Sequence, residues 1–151
     1  MIYNSIGELR KREGEKLEPS EWLLVDQGMI NAFAAVTSDT QWVHIDEKRA
    51  SVESPFGGTI AHGFLTLSLL SKLLLDQVEI KSLKMGVNYG LNRLRFTSVV
   101  PSGSRIRLHS SPIAFEDVAN YGVKVTFDCK MEIEGQDKPA LVGEFIVLFF
   151  E

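Results

Sequence analysis

One stretch limits the fold more than any other: Thr59-Ile-Ala-His-Gly-Phe-Leu-Thr-Leu-Ser-Leu-Leu-Ser-Lys-Leu-Leu-Leu75. From Phe64 to Leu75, apolar residues occupy nearly every side of a helical wheel. Only Thr66, Ser68, Ser71 and Lys72 interrupt them. A helix that is apolar all round is expected in an interior, not on a surface. It is too short and too interrupted to cross a bilayer, which takes about 20 mostly apolar residues. The expectation is a central helix in a soluble domain, wrapped by other elements. Its entrance is polar: Ala61-His62-Gly63 sets backbone N–H groups and an imidazole beside a dry core.

The chain has 151 residues, which suits one domain over 1–151 with a core able to fold unaided. A net charge of −4 lacks the basic footprint of a nucleic-acid binder. Cys129 is the one cysteine, so no intrachain disulfide and no cysteine-based zinc site can form. The first residues, Met1 to Arg12, carry charges where a signal peptide would carry its apolar run. The expectation is a cytoplasmic protein away from membranes and nucleic acid.

Along the chain, residues 1–13 form a short amphipathic lead-in, and Trp22-Leu-Leu-Val25 is an apolar run with strand character. Asp26 is a natural N-cap for a helix from Gln27 to Thr37, where Met29, Ile30, Phe33, Ala34 and Val36 recur at helical spacing. Ser38 to Thr59 follows no period and predicts a long loop, with a helical turn around Asp46 to Val52. Loops of this length in compact domains are usually functional or disordered, and the embedded Trp42, Val43 and Phe56 argue against disorder. Asp76 to Leu83 reads as a polar connection. Beyond Lys84 the pattern changes to alternation, with strands expected at Val87–Phe96, Arg105–His109, Asn120–Ile133 and Ala140–Phe150. Four strands in an antiparallel meander, set apart from the helices, make an α+β fold. A sheet curled around one long buried helix is the hot-dog arrangement.

Two groups of residues have chemical potential. Asp39 and His44 stand five apart in the loop, and a carboxylate beside an imidazole can hold a water, deprotonate it and return a proton. The structural alternative is an aspartate capping loop N–H groups beside an exposed histidine. Gly63, where the helix begins, can offer its N–H to a developing oxyanion. A glycine there also serves simply to let the backbone turn or pack closely. His62 has a hydrogen-bonding role more readily than a catalytic one. Arg93, Arg95, Arg105 and Arg107 read as a solvated face, with coenzyme A phosphates as the sharper alternative. His109 has no partner visible in sequence.

Taken together, these blocks resemble a known family. Phe33-Ala-Ala-Val-Thr-Ser-Asp39-Thr-Gln-Trp-Val-His44-Ile-Asp46 is similar to the hydratase motif of MaoC-like (R)-specific enoyl-CoA hydratases. Pro55-Phe-Gly-Gly-Thr-Ile-Ala-His-Gly63 resembles the same family's helix entrance, and so does Val87-Asn-Tyr-Gly-Leu-Asn-Arg-Leu-Arg-Phe96 with the residues after it. The Gln-Trp-Val-His wording looks most like the branch containing nodulation-protein-N-like dehydratases. The resemblance implies a single hot-dog fold, usually paired as a homodimer. It implies reversible hydration of trans-2-enoyl thioesters, carried by coenzyme A or acyl carrier protein, to (R)-3-hydroxyacyl thioesters, without metal or redox cofactor. By the same resemblance Asp39 and His44 match the catalytic pair, and Gly63 matches the glycine that binds the thioester oxygen. Ser71 matches a serine near the pair, while His62, Asn88 and Tyr89 are expected in supporting or substrate-lining roles. The family pattern is commonly Gly-Asp-x-Asn-Pro; here Ser38 precedes Asp39, and Gln41-Trp42 replace Asn-Pro. Ser38 matters if that position needs φ > 0, which glycine adopts freely. Two further readings are a hot-dog thioesterase and a non-catalytic subunit that binds acyl thioesters.

Overall fold

The computed structural model of the chain describes residues 1–120 and 122–151. The lead-in forms β1 (Ile2–Tyr3) and α1 (Ile6–Arg10). Then come β2 (Leu23–Val25), α2 (Gln27–Thr37), α3 (Trp42–Ile45), α4 (Glu47–Glu53) and the long helix α5 (Gly63–Gln77). Five strands follow: β3 (Glu79–Ile80), β4 (Met85–Phe96), β5 (Ser104–Val118), β6 (Gly122–Ile133) and β7 (Leu141–Phe150). Of the strand expected over Asn120–Ile133, Tyr121 lies outside the described residues. β1 and β3 pair in parallel, so part of the expected polar connection after the helix is a short strand. The expected loop contains two short helices, the second capped by Asp46, whose Oδ1 accepts from Arg49 N at 2.9 Å. Asp26 caps α2 as its position predicts, accepting from Met29 N at 2.8 Å.

The main sheet is five-stranded in the order β2-β5-β6-β7-β4, antiparallel at every pairing. A simple meander is therefore corrected: β5, β6 and β7 form one, but β4 pairs with β7 at the far edge. Alternation identifies strands and their faces, not their neighbours, and strands adjacent in sequence fail to pair about a third of the time. Here the link from β4 to β5 is held elsewhere. It binds the stretch just before α5, through Ala61 N to Val100 O at 2.8 Å and Ser102 N to Thr59 O at 2.9 Å. The link thus lies against the helix entrance, a placement that matters for the site.

The sheet packs on α5 through Leu65, Leu70, Leu73 and Leu74, which meet Ile106, Leu108, Phe127, Met131 and Phe149 in one buried cluster. The helix is not buried all round, however. Phe64 is 67% exposed and Leu75 53%, with Ser68 and Lys72 also exposed. These residues share one stripe at helical spacing, and among the described residues no element covers it. A curled sheet reaches only one side of a helix. Gln77 holds the helix end: its Nε2 donates to Glu18 O at 2.7 Å and Leu108 O at 3.0 Å, and its Oε1 accepts from Ser110 Oγ at 2.8 Å.

The two edges of the sheet differ. Beyond β5, the chain covers its own edge: Gly14, Leu17 and Ser20 N–H groups bond Pro112, Ser110 and Leu108 carbonyls at 2.7, 2.9 and 2.9 Å, and β2 continues the cover. Beyond β4, no strand pairs among the described residues. No helix among the described residues is long and apolar enough to cross a membrane.

Candidate active site

The site forms where α3, the end of α2 and the first turn of α5 meet. His44 sits in α3 and is 8% exposed. Its Nδ1 lies 2.7 Å from Ile60 O. A carbonyl only accepts, so Nδ1 carries the proton and the neutral ring keeps a bare lone pair on Nε2. The backbone behind His44 is pinned too: its carbonyl accepts from Gln27 Nε2 at 2.7 Å, and Gln27 Oε1 accepts from the buried Thr59 hydroxyl. One glutamine at the start of α2 therefore ties the histidine's helix to the strand-like stretch before α5.

Asp39 follows Ser38, whose φ of 60° and ψ of 19° put it in the left-handed region. The position does need φ > 0, and serine supplies it. The turn that ends α2 keeps its shape without the glycine of the family pattern. Asp39 Oδ1 accepts from Gln41 Nε2 at 3.2 Å. His62, the residue before α5, is 3% exposed. Its Nε2 donates to the Asp39 carbonyl at 2.9 Å and lies 4.0 Å from Asp39 Oδ2. Its ring stacks on that of His44 with centroids 3.8 Å apart and planes 23° apart, and Phe33 packs against it at 5.0 Å. Polar atoms of Asp39, His44 and His62 thus lie within 4.8 Å of one another. One water can touch two groups at that separation, given hydrogen bonds of about 2.8 Å each. Among the described residues the same trio is the one set whose donor atoms lie close enough to share an ion. Each histidine gives one ring nitrogen to a carbonyl, which leaves His44 Nε2 and the buried His62 Nδ1 without a hydrogen-bond partner among the described residues.

A cleft of ≈ 680 Å³ reaches this cluster at His44, the one member of the trio that lines it, together with Phe56, Ile60, Gly63 and Phe96 and with Gln136 from the β6–β7 turn; Asp39 and His62 lie outside its lining. Gly63 opens the first turn of α5, and its N–H takes no backbone partner among the described residues. First-turn N–H groups are unsatisfied within any helix and lie at the positive end of its dipole. Gly63 has no positive φ; it is a glycine for room, since a Cβ there would meet three Phe96 ring atoms at 3.3 Å.

The remaining expected residues sit apart. Ser71 lies eight residues along α5 from Gly63, a distance of about 12 Å. Its hydroxyl donates to Asn88 Oδ1 at 3.1 Å. Both line a second, smaller cavity of ≈ 220 Å³ with Leu74, Met85, Val147 and Phe149. So Ser71 lines a different cavity from His44 and Gly63. Tyr89 is 61% exposed on β4 and lines neither cavity. Arg105 and Arg107 pair with Glu134 and Glu132, with Trp22 beneath them, away from both cavities. His109 has a partner after all: Glu132, at 2.5 Å. Arg107 first, then His109, hold the Glu132 carboxyl below the usual range. Sequence reasoning missed Gln27, Phe33, Phe96 and Gln136. Gln27 stood next to an N-cap and Phe96 ended an alternating strand, and neither pattern marks a site.

A MaoC-like domain model matches residues 8–128. The chain belongs to the MaoC-like family. Its MaoC-like relatives include 3-hydroxyacyl-thioester dehydratase Z of Mycobacterium tuberculosis, 44% identical over 147 residues that cover 97% of each chain. Nodulation protein N of Rhizobium leguminosarum bv. viciae is also 44% identical, over 95% of this chain and 90% of that protein. Among solved MaoC-like structures, the (R)-hydratase from A. caviae involved in PHA biosynthesis superposes with a TM-score of 0.70 at 25% identity, over 88% of this chain and 95% of that one. The fold is the hot-dog fold of these hydratases, as the sequence blocks led one to expect.

Proposed function

We propose that this protein is a hydro-lyase that adds water to trans-2-enoyl thioesters, or removes it from (R)-3-hydroxyacyl thioesters. The observation that carries the reading is one cleft lined by both His44, with its bare Nε2, and Gly63, with its unclaimed first-turn N–H. Relatives named as dehydratases, alike along nearly the whole chain, support the same reaction class.

The chemistry follows from those groups. A conjugated thioester accepts water at its β-carbon only if charge can move onto the carbonyl oxygen. The Gly63 N–H, aided by the dipole of α5, stabilises that charge. His44 Nε2 takes a proton from a water held between it and Asp39, and the oxygen bonds to the β-carbon. His44 passes that proton to Asp39, which delivers it to the α-carbon. Both groups end as they began, so one water is consumed and nothing else. No redox step or metal enters this scheme. The cavity behind Ser71 and Asn88 is suited to the acyl chain, since its walls are mainly apolar and it lies two turns further along the same helix.

We also propose a homodimer paired through β4. Among the described residues this edge is open while the other is covered by the chain itself, and Met85, Val87, Tyr89 and Leu91 on it are exposed. An uncovered edge of this length is an aggregation hazard unless something pairs with it. The lone Cys129 is buried, and burial pushes its thiol up to about 12, which leaves no reactive thiolate.

The test is hydration of crotonyl-CoA, with product stereochemistry, beside an assay for free-thiol release. Asp39→Asn and His44→Ala should each lower hydration by about 10²–10⁴-fold. Thiol release without hydration would favour a thioesterase. Saturable acyl-CoA binding with no turnover would favour a binding subunit.

A further inference from the structure

We infer that His62 is a positioning residue that sets both members of the Asp39/His44 pair, through two separate contacts. This rests on the hydration reading above, but its geometry can be tested without activity.

The first contact is a hydrogen bond. His62 Nε2 sits 2.9 Å from the Asp39 carbonyl. The carbonyl only accepts, so Nε2 carries the proton. Asp39 lies in a turn entered through a left-handed serine, and among the described residues its side chain accepts a hydrogen bond from Gln41 alone. The His62 bond is a long-range tie, spanning 23 residues, between that turn and the entrance of α5. It therefore fixes where the carboxylate stands relative to Gly63.

The second contact is the stack. The His44 ring lies face to face with His62 at 3.8 Å, and Phe33 backs His62 on another side at 5.0 Å. Ile60 O alone would leave His44 free to swing about that one bond. The stack removes this freedom and sets the direction of the His44 Nε2 lone pair.

The protein accepts a cost for this arrangement. His62 is 3% exposed, and its Nδ1 has no hydrogen-bond partner among the described residues. A buried polar atom left unpaired is unfavourable, and such atoms call for an explanation. An apolar residue would avoid the penalty, yet it would lose the Nε2 donor. A glutamine would keep a donor, yet it would lose the ring face. Histidine offers both from one position, in a smaller ring than tyrosine or tryptophan. The two histidines accordingly hold opposite tautomers: Nδ1–H in His44 and Nε2–H in His62.

Two measurements test this on the full-length protein. The first is nuclear magnetic resonance of isotope-labelled histidine, which distinguishes the tautomers; the chain has only 3 histidines to assign. Nδ1–H in His44 with Nε2–H in His62 is expected, and Nδ1–H in His62 would overturn the inference whether or not the protein hydrates enoyl thioesters. The second is crotonyl-CoA kinetics on His62→Ala, His62→Gln and His62→Phe, with thermal melts to confirm folding. His62→Ala should lose about 100-fold in kcat, the scale of a displacement of about 1 Å at a catalytic group, with KM little changed. His62→Gln, which keeps an N–H for Asp39, and His62→Phe, which keeps a ring for His44, should each recover about tenfold of that loss. A folded His62→Ala protein with kcat within threefold of the parent would overturn the inference. So would a rise in KM at constant kcat, which would make His62 a substrate contact. If the parent itself shows no hydration, the function fails, and the tautomers still decide the geometry.

Discussion

Replacing Ser38 with glycine should stabilise the protein, and the size of the gain follows from one backbone angle. Ser38 holds φ 60° and ψ 19° at the end of α2. The left-handed region costs a residue with a Cβ about 1–2 kcal/mol. Glycine escapes this cost but brings a more flexible unfolded chain, which takes back about 0.4–1 kcal/mol. The Ser38 side chain offers no compensation: the residue is exposed, and its hydroxyl makes no hydrogen bond among the described residues. The net gain centres on about 0.8 kcal/mol, within a span of about 0–1.6 kcal/mol, or roughly 2–3 °C in melting temperature for a chain of this size. Urea unfolding at constant m-value, beside a thermal melt, measures it. Ser38→Val should go the other way, because a β-branched residue tolerates φ > 0 poorly. Hydration by Ser38→Gly should stay within about twofold of the parent, since the turn that presents Asp39 is unchanged. A Ser38→Gly protein clearly less stable than the parent would refute the reasoning. It would mean that the left-handed turn is not strained, or that the serine is held by something other than its backbone.

Other substitutions probe packing and charge. Gly143→Ala would bring a Cβ within 2.9 Å of Leu94 Cα, so chemical denaturation should show a loss of about 1–3 kcal/mol, the usual cost of overpacking. Gly63→Ala should displace the Phe96 ring and lower kcat for crotonyl-CoA, and Phe96→Leu in the same chain should recover part of the loss. If the double variant is as slow as the single one, crowding by Phe96 is not the cause. Glu132 has its carboxyl held low by Arg107 and then His109. A depressed folded pKa contributes stability above the unfolded glutamate value of about 4.3 and loses it as pH falls through the folded value. Glu132→Gln should therefore flatten the fall in stability below that pH, as followed by melts across the acid range. Gln77→Leu would leave the Ser110 hydroxyl and two carbonyls without this partner, and a loss of several kcal/mol should appear in the same melts.

Much of the molecule was legible from local pattern. The helix from Gln27 to Thr37 appeared with its expected bounds, because its cap and its apolar spacing both act within a few residues. Alternation placed strands after Lys84, but the one expected at Arg105–His109 runs on to Val118, past Pro112 and a register shift that break the alternation, and the Asp39, His44 and Gly63 blocks stood out by their wording. Other features were out of reach for a physical reason. Phe64 and Leu75 look like core residues on a wheel, yet whether they are covered depends on how far the sheet curls. Ser71 reads as near the pair in sequence terms, yet two turns of helix separate it from Gly63.

The amino-acid sequence by itself determined the elements, the central helix and the list of reactive side chains, since periodicity, capping and residue chemistry are local properties. Only the tertiary structure decided which of those side chains meet. The β4–β5 link had to bind against Thr59 and Ala61 before the cleft could have its wall, and β4 had to pair with β7 rather than β5. The stack of His62 on His44 joins residues from two elements, and Gln27 reaches His44 across 17 positions. Contacts between distant parts of a chain depend on how elements pack in space, and no local spacing records that.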